Sequence, residues 1–206
     1  MRAGNSEYKW CKLDVTPIVH QGVPIKMIGV ITDIDQLKRK NIALQSAIMY
    51  DGFTGLYNKQ SAAHFIKKRL KEYPQQNHAL IVLDIDNFKH VNDTYGHLSG
   101  NELLISLAKY LLFYTNQDDI VIRMGGDEFV IFVKNIQNDL NYLCKELMNH
   151  LDEITLSHNR LRFSMSMGIY AFNTSLTFDE AFKEADEALY HSKRNGRSQF
   201  TIKYQL

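Results

Sequence analysis

The chain has 206 residues, of which 45% are hydrophobic and 23% are charged, and its formal net charge is +1. This length and composition are typical of one globular domain, with or without part of another. A net charge so close to zero argues against bulk attraction to nucleic acid or anionic lipid, so we expect no nucleic-acid partner. No apolar run approaches the roughly 18 residues of a membrane span, so we expect no membrane segment. The two cysteines, Cys11 and Cys144, match no zinc or redox spacing, which suits a cytoplasmic location. A membrane tether outside this sequence stays open.

The first part of the chain, residues 1–34, is predicted to form strands. Residues 7–19 alternate partly between apolar and polar and are rich in aromatic and β-branched types, and a second such run follows the turn residues 21–24. An isolated two-stranded hairpin is marginal in water. We therefore interpret this segment as the C-terminal remnant of a larger sheet.

Residues 35–50 change to a helical pattern, with Asp35 as a candidate N-cap. The apolar positions of this segment are Leu37, Ile42, Leu44, Ile48 and Met49. The segment is either a connector helix or a short coiled-coil stalk for dimerisation. Two heptads are too few to decide between them.

From residue 51 to residue 206, helical and strand patterns alternate. Helices are predicted over 58–73, 99–115, 139–151 and 177–196, and strands over 78–86, 119–134 (with a turn), 161–172 and 198–204. The apolar run at 78–83 is typical of a central strand covered on both faces. The order β-α-β-β-α-β predicts an α/β fold of the ferredoxin-like palm type, with a mainly antiparallel central sheet flanked by helices.

The stretch RMGGDEFVIF, residues 123–132, has two interpretations. Gly125-Gly126 suits the type I′ turn of a two-residue β-hairpin. The acids Asp127 and Glu128 directly precede an apolar run, where burying a carboxylate is costly unless a cation or hydrogen bonds meet it. The pattern alone leaves open whether the stretch is only a hairpin or also a metal site.

A second acidic pair, Asp84 and Asp86, lies at the end of the predicted central strand. Ligands of open α/β sheets bind at the carboxyl ends of strands. Carboxylates from two separate elements, with Lys89 nearby, suit Mg²⁺ held beside phosphates. We therefore expect the two acidic segments to meet.

Five segments carry recognisable motifs in a fixed order: DGFTGLYNK at 51–59, DIDNFKHVND at 84–93, YGHLSGN at 95–101, MGGDEF at 124–129 and YHSKRNGR at 190–197. Together they resemble the GGDEF domain of diguanylate cyclases. The resemblance covers about residues 50–206, and the segment before it is similar to the last strands of a PAS sensor domain. The implied organisation is a PAS-like remnant at 1–34, a signalling helix at 35–50 and a GGDEF domain at 51–206.

The resemblance implies an enzyme that joins two GTP molecules into cyclic di-GMP and two pyrophosphates, under the control of an upstream sensor. Each domain would hold one GTP, so catalysis would need a homodimer. The implied cofactor is Mg²⁺ or Mn²⁺, held by Asp84, Asp127 and the carbonyl of Ile85. Glu128 would help to deprotonate the attacking 3′-hydroxyl or complete the metal shell.

The remaining site residues implied by the resemblance contact the nucleotide. Backbone N–H groups of Asn87 and Phe88 would bind the β- and γ-phosphates, as helix N-termini do. The cations assigned to phosphate oxygens are Lys89, Lys193 and Arg197. Asn92 and position 101 would recognise guanine.

The chain departs from the family pattern at two positions. Asn101 replaces a common aspartate that accepts two guanine N–H groups, and Asn116 replaces the arginine of a product-binding Arg-x-x-Asp motif that here ends at Asp119. An amide cannot reproduce the bidentate contact of arginine, so we do not expect tight product inhibition there. Asn101 leaves two alternatives open: a weak or inactive module for nucleotide binding or dimerisation, and a cyclase with relaxed base choice.

Overall fold

The computed structural model describes residues 8–136, 139–151, 154, 162–173 and 176–205, without the side chains of residues 46 and 47. Its contacts divide the chain into two compact units, Met1–Ile48 and Met49–Leu206. None of the helices in these described stretches is long and apolar enough to cross a bilayer.

The first unit contains the predicted hairpin. Strand β1 (Cys11–His20) pairs antiparallel with β2 (Val23–Asp33), and the intervening Gln21 and Gly22 both have positive φ. Positive φ at both central residues is the conformation of a type I′ hairpin turn. Apolar side chains are exposed along both strands. The PAS assignment of residues 1–34 stays a prediction.

Helix α1 (Asp35–Met49) follows the hairpin, as predicted. Asp35, however, is the first helical residue and not the N-cap. Its N–H donates to Asp33 Oδ1 at 2.9 Å, and its carboxylate accepts from Arg39 Nε at 2.6 Å. The N-terminal capping interaction is therefore supplied by an acid two residues earlier than predicted.

The second unit is a six-stranded sheet flanked by helices. In chain order its elements are β3 (Tyr57–Asn58), α2 (Lys59–Glu72), β4 (His78–Ile85), α3 (Phe88–Tyr114), β5 (Ile120–Gly125), β6 (Glu128–Val133), α4 (Leu140–Asn149), β7 (Met165–Phe172), α5 (Phe178–Arg194) and β8 (Phe200–Tyr204). The strand order is β3-β5-β6-β4-β7-β8, and among these described strands the parallel pairs are β3/β5 and β7/β8. The inner order β5-β6-β4-β7 confirms the ferredoxin-like prediction.

The central strand β4 is apolar on both faces because both faces are covered by helices. Ile81 and Leu83 belong to the core that includes residues of α3 and α4, whereas Leu80 and Val82 belong to the core that includes residues of α2 and α5. Helix α5 lies directly on β7, since a Cβ on Gly168 would be 2.0 Å from the N atom of Leu189. This close contact sets the position of the last turn of α5 at the end of the sheet.

Helix α3 is longer than predicted and is broken. It begins at Phe88, and Gly96 has non-helical torsions of φ 83° and ψ 158°. The predicted helix at 99–115 corresponds to the second arm. The first arm was missed because residues 88–95 contain only three apolar side chains, Phe88, Val91 and Tyr95. Asn87 precedes this arm in the left-handed conformation, with φ 55° and ψ 36°.

Candidate active site

The two acidic segments meet at the end of β4, as the sequence predicts. Asp84 of β4 is the register partner of Glu128 on β6 and of Ser166 on β7. Partners in a β-ladder point to the same face of the sheet, so the Asp84 and Glu128 side chains are neighbours. The Asp84 side chain is only 12% exposed. Two carboxylates are therefore held together where the inner strands β4 and β6 meet the end of the sheet, and the Asp84 carboxylate is nearly buried there.

The hairpin between β5 and β6 carries a third acid at its tip. Gly125 pairs with Glu128, which leaves Gly126 and Asp127 as the turn residues. The turn is thus one residue later than the predicted Gly125-Gly126 turn. Gly125 and Gly126 have φ values of 142° and 55°, which only glycine adopts without strain. The two glycines bring Asp127 to the turn beside the end of β4.

The carboxylates of this cluster raise the pKa of two of its members. The pKa of Asp84 is raised by burial, against the opposing effect of Lys193, and the charges of Asp127 and Asp86 raise it further. The pKa of Glu128 is raised by burial and by the charges of Asp84 and Asp127. Both shifts record an excess of negative charge in a partly desolvated place. Such a place favours a bound cation.

One cation is already present on the cluster. Lys193, in the last turn of α5, places Nζ 2.8 Å from Asp84 Oδ1. The family resemblance assigns this lysine to phosphate oxygens, whereas here its partner is the candidate metal ligand. Its side chain is 33% exposed, so it has room to change partner.

Asp86 takes a different role from Asp84. It is 6% exposed, and its carboxylate accepts hydrogen bonds from Ser164 Oγ at 2.6 Å and Ser166 Oγ at 2.7 Å. The backbone N–H of Ser198 is a third donor, at 3.0 Å. These donors satisfy the buried charge, so Asp86 is a structural anchor in this site.

The groups predicted to bind phosphate surround the same strand end. The first N–H groups of α3, which begins at Phe88 directly after Asn87, have no acceptor within the helix. Lys89 is exposed in the first turn of α3, and Arg197 is exposed just after α5. Arg197 has a positive φ of 62°, and so does Ser198 at 47°. The backbone after α5 is therefore strained where a candidate binding residue lies.

The candidate base-binding residues lie where the two arms of α3 approach. A Cβ on Gly100 would be 2.0 Å from Asn92 Oδ1, so only glycine admits the Asn92 side chain there. Asn101 follows Gly100 and is exposed. Sequence reasoning did not single out Gly100, although its close approach to Asn92 explains why that position suits glycine.

Arg123 supports the hairpin that carries Asp127. Its Nη2 and Nε lie 2.8 Å and 3.2 Å from the carbonyl oxygen of Gly126, and its Nη1 lies 3.0 Å from Asp51 Oδ1. Asp51 also accepts from Thr54, through both N–H and Oγ1 at 2.7 Å. Sequence reasoning used Asp51 only as part of a motif and missed Arg123.

The Asn116–Asp119 segment forms a closed turn. Asp119 Oδ2 accepts from the Asn116 N–H at 3.0 Å, and Oδ1 accepts from the Lys134 N–H at 3.0 Å. The Asp119 carboxylate is thus engaged by backbone groups of the protein.

The donor set at the strand end fits a hard divalent cation. Within the ranges that the structure describes, no group of three or more His, Cys, Asp or Glu side chains has the arrangement of a metal site. Mg²⁺ does not require one, since it usually binds through one or two carboxylates together with water and substrate phosphates. The side chain of Ile85 is buried in the core, so only its backbone carbonyl could take part.

Comparisons with known proteins agree with this architecture. Residues 48–199 match the family model for "Diguanylate cyclase, GGDEF domain". Diguanylate cyclase DgcM of Escherichia coli is 33% identical over 175 residues, which are 84% of this chain and 42% of that protein. The chain therefore spans less than half the length of this relative.

Solved structures show the same fold. The coiled coil and GGDEF domain of DgcB from Caulobacter crescentus, in complex with c-di-GMP, has a TM-score of 0.73 at 24% identity and covers 82% of this chain and 93% of that one. This likeness concerns the fold alone. The active GGEEF domain of a diguanylate cyclase from Vibrio cholerae has a TM-score of 0.58 at 30% identity, over 70% of this chain and 92% of that one.

Proposed function

Because the chain belongs to the GGDEF family of diguanylate cyclase domains, we propose that it condenses two GTP molecules into cyclic di-GMP and two pyrophosphates. In this reaction each 3′-hydroxyl attacks the α-phosphate of the other GTP, and pyrophosphate leaves. The observation that carries the proposal is the acidic cluster at the end of β4, where Asp84 faces Glu128 across the ladder. Burial, together with the charge of Asp127, raises the pKa of both carboxyl groups.

The metal of the proposed reaction is Mg²⁺ or Mn²⁺, held by Asp84, Asp127 and the carbonyl of Ile85. When bound, such an ion neutralises the triphosphate, activates the attacking oxygen and supports the leaving group. Glu128 accepts the proton of the 3′-hydroxyl or completes the metal shell. Its raised pKa supports the proton-accepting role, because a carboxylate with a higher pKa is a better base.

The triphosphate is bound by backbone and side-chain donors around the strand end. The N–H groups of Asn87 and Phe88 face the β- and γ-phosphates at the start of α3, where the helix dipole also favours negative charge. Lys89, Lys193 and Arg197 pair with phosphate oxygens. The exposure of Lys89 and Arg197 supports these roles, since both are accessible to a ligand.

Assembly and control follow from the chemistry of the product. One domain binds one GTP, so cyclisation requires two domains with their sites face to face. Helix α1 is the proposed dimerisation stalk, and the hairpin before it is proposed to belong to the controlling sensor. Activity per molecule should therefore rise with protein concentration until dimers saturate. A monomeric protein whose specific activity is independent of dilution would contradict the dimer requirement.

The direct test of function is to incubate the purified protein with GTP and Mg²⁺ and identify the products by mass spectrometry. Cyclic di-GMP and pyrophosphate are expected. Asp127→Ala should abolish turnover while the thermal unfolding temperature stays near that of the wild type. Glu72→Ala, which removes an exposed carboxylate of α2, is the matched control and should leave turnover unchanged. Near wild-type turnover in Asp127→Ala would refute the metal assignment.

A second candidate function is favoured by Asn101. With an amide in place of the usual aspartate, the domain would bind guanine weakly. It would then act as a weak or inactive nucleotide-binding and dimerisation module, or it would form cyclic dinucleotides from nucleotides with other bases. Repeating the incubation with ATP, and with ATP and GTP together, separates these outcomes by the dinucleotides that form.

A further inference from the structure

The buried carboxylate of Asp86 connects the end of β4 to the segment that follows α5. On one side it accepts hydrogen bonds from Ser164 and Ser166, at the start of β7. On the other side it accepts the backbone N–H of Ser198 at 3.0 Å, across a sequence separation of 112 residues. The bond to Ser198 reaches a loop that carries no core side chain of its own.

The segment after α5 has a backbone that needs external support. Gly196, Arg197 and Ser198 have φ values of 112°, 62° and 47°. Left-handed conformations of two successive non-glycine residues are strained and persist only where the surroundings enforce them. The Arg197 N–H donates to the Ser192 carbonyl at 3.1 Å, and the Ser198 N–H donates to Asp86. The Arg197–Ser198 backbone is thus held by one bond to α5 and one to Asp86. The next residue, Gln199, donates from Nε2 to the Ser192 carbonyl at 3.0 Å, and its own carbonyl accepts from the Met167 N–H at 3.0 Å.

Asp86 therefore helps to set the direction in which the Arg197 side chain leaves the backbone. Ser198 is bonded directly to Asp86, so its neighbour Arg197 is anchored beside the end of β4. Asp84 lies two residues before Asp86 on the same chain segment. The acidic cluster and the exposed arginine are consequently fixed to one rigid strand end.

We propose that Asp86 is a positioning residue for nucleotide binding: its carboxylate holds the left-handed Arg197–Ser198 backbone so that Arg197 meets a phosphate of the nucleotide bound beside Asp84. This rests on the proposed function for the identity of the ligand. The alternative is that Asp86 only stabilises the fold by joining β4 to β7.

The test compares the binding of a non-hydrolysable GTP analogue, in the presence of Mg²⁺, by the wild type and by variants of the full chain. Asp86→Ala removes the anchor and should weaken binding about tenfold to hundredfold, the range for losing one hydrogen bond to a charged group. Asp86→Asn should restore binding to within about threefold of the wild type. Its carbonyl oxygen can still accept from Ser198 and Ser164, and its amide can donate to Ser166 Oγ. If Asp86→Ala does not fold, Asp86→Ser, whose hydroxyl keeps one bond in the cluster, replaces it.

Two further measurements separate positioning from stability. Ser166→Ala is the matched control, because it removes a bond on the β7 side of the same carboxylate; it should lower the unfolding temperature without changing the affinity. In an Arg197→Gln background, Asp86→Ala should lower the unfolding temperature as before and cause no further loss of affinity. Hydrogen exchange at the Ser198 amide, measured without nucleotide, should accelerate in Asp86→Ala and stay slow in Asp86→Asn.

The outcomes distinguish the inference from the proposed function. The positioning role is overturned if Asp86→Ala binds the analogue with unchanged affinity, or if the substitution causes an equal loss of affinity with and without Arg197. In either case, binding of the analogue by the wild type leaves the proposed function standing. No binding of the analogue by the wild type overturns the proposed function, and with it the role of Arg197. Slow exchange of the Ser198 amide in Asp86→Ala overturns the anchor itself.

Discussion

The guanidinium of Arg123 bridges Asp51 and the tip of the β5–β6 hairpin. One nitrogen lies 3.0 Å from Asp51 Oδ1 and another lies 2.8 Å from the carbonyl oxygen of Gly126, the residue before Asp127. The ring of Phe53 packs against the same guanidinium, 5.2 Å from its central carbon to the ring centroid. The loop at the start of the second unit therefore fixes the turn that presents Asp127.

Arg123→Gln should reduce GTP turnover by about tenfold or more while the protein still folds. An amide cannot reach both Asp51 and Gly126, and a shift of about 1 Å in a catalytic group can cost up to about a hundredfold in rate. Turnover and thermal unfolding should be measured together. Lys134→Gln is the control, since the ion pair with Asp118 that it removes lies at the open end of the β5–β6 hairpin, opposite the turn that carries Asp127. Turnover equal to that of the wild type would mean that the turn holds Asp127 without the arginine.

The sequence predicted the acidic cluster better than it predicted what supports that cluster. Asp84 ends an apolar run, and Asp127 follows two glycines, so local patterns were enough to place both at a strand end. The partners Asp51 and Arg123 are 72 residues apart, and no local pattern indicates such a contact. The burial of the Asp86 side chain was not predicted either, because its serine donors lie on β7 and beyond α5.

The secondary-structure errors have similar causes. The first arm of α3 was missed because only Phe88, Val91 and Tyr95 are apolar among its eight residues, although Phe88 and Val91 contact the core. The hairpin turn is one residue later than predicted, because a register shift between Arg123 and Gly125 changes the pairing. Both features depend on contacts between distant segments, which periodicity cannot report.

Lys193→Met should strengthen the binding of Mn²⁺ in the absence of nucleotide. In the wild type the ammonium occupies Asp84 Oδ1 at 2.8 Å and competes with an incoming metal ion for that oxygen. Losing one charge-assisted hydrogen bond of about 1.5–3 kcal/mol predicts roughly tenfold tighter binding. The metal-free variant should also unfold at a lower temperature, because the acids lose their cation.

Isothermal titration with Mn²⁺ measures this effect without relying on turnover. Lys203→Met is the matched control, because its lysine pairs with Glu184 and Glu187 on α5 and not with the cluster. Mn²⁺ binding that is equal or weaker in Lys193→Met would show that the lysine does not compete with metal for Asp84.

His78 should make the protein less stable in mild acid. It is 1% exposed; its Nδ1 accepts from the Asn135 N–H at 3.4 Å, and its Nε2 lies 3.3 Å from the Tyr73 carbonyl oxygen. Burial lowers its pKa, with a further lowering from the charges of Arg69 and Lys134.

The sign of the effect follows from proton linkage. The unfolded chain takes up a proton near the ordinary histidine pKa of about 6.5, whereas folded His78 does so only at lower pH. Stability is therefore full above that value and falls as the pH drops from it toward the folded pKa. Urea unfolding between pH 7.5 and pH 5 should show a steeper loss for the wild type than for His78→Gln. If the stability of the wild type and that of His78→Gln fell equally with pH, the acid sensitivity would belong to other groups.

Gly100→Ala should weaken nucleotide binding without unfolding the protein. The new Cβ would lie 2.0 Å from Asn92 Oδ1, the end of a side chain that can rotate away, so Asn92 and not the backbone should move. If Asn92 recognises the base, affinity for a GTP analogue should fall about tenfold, the effect of one lost hydrogen bond. Gly52→Ala is the control, since its Cβ meets nothing within 4 Å. Unchanged affinity in Gly100→Ala would remove Asn92 from base recognition.

Asn101→Asp should raise both the affinity for GTP and the preference for GTP over ATP. A carboxylate can accept from N1–H and N2–H of guanine through its two oxygens, whereas the amide has one acceptor oxygen and turns its NH₂ toward the other donor. Leaving a buried donor unpaired costs roughly 1–3 kcal/mol, or about one to two powers of ten in affinity.

The same amide can donate to N1 of adenine, so the wild type should discriminate poorly against ATP. Titrating GTP and ATP separately against the wild type and Asn101→Asp measures both effects. Asn101 is exposed at the start of the second arm of α3, so the substitution should leave the unfolding temperature unchanged. Equal GTP affinity in the two proteins, with ATP rejected by both, would mean that Asn92 or a water molecule already completes guanine recognition. The explanation of base selectivity through Asn101 would then fail, while the cyclase proposal would remain.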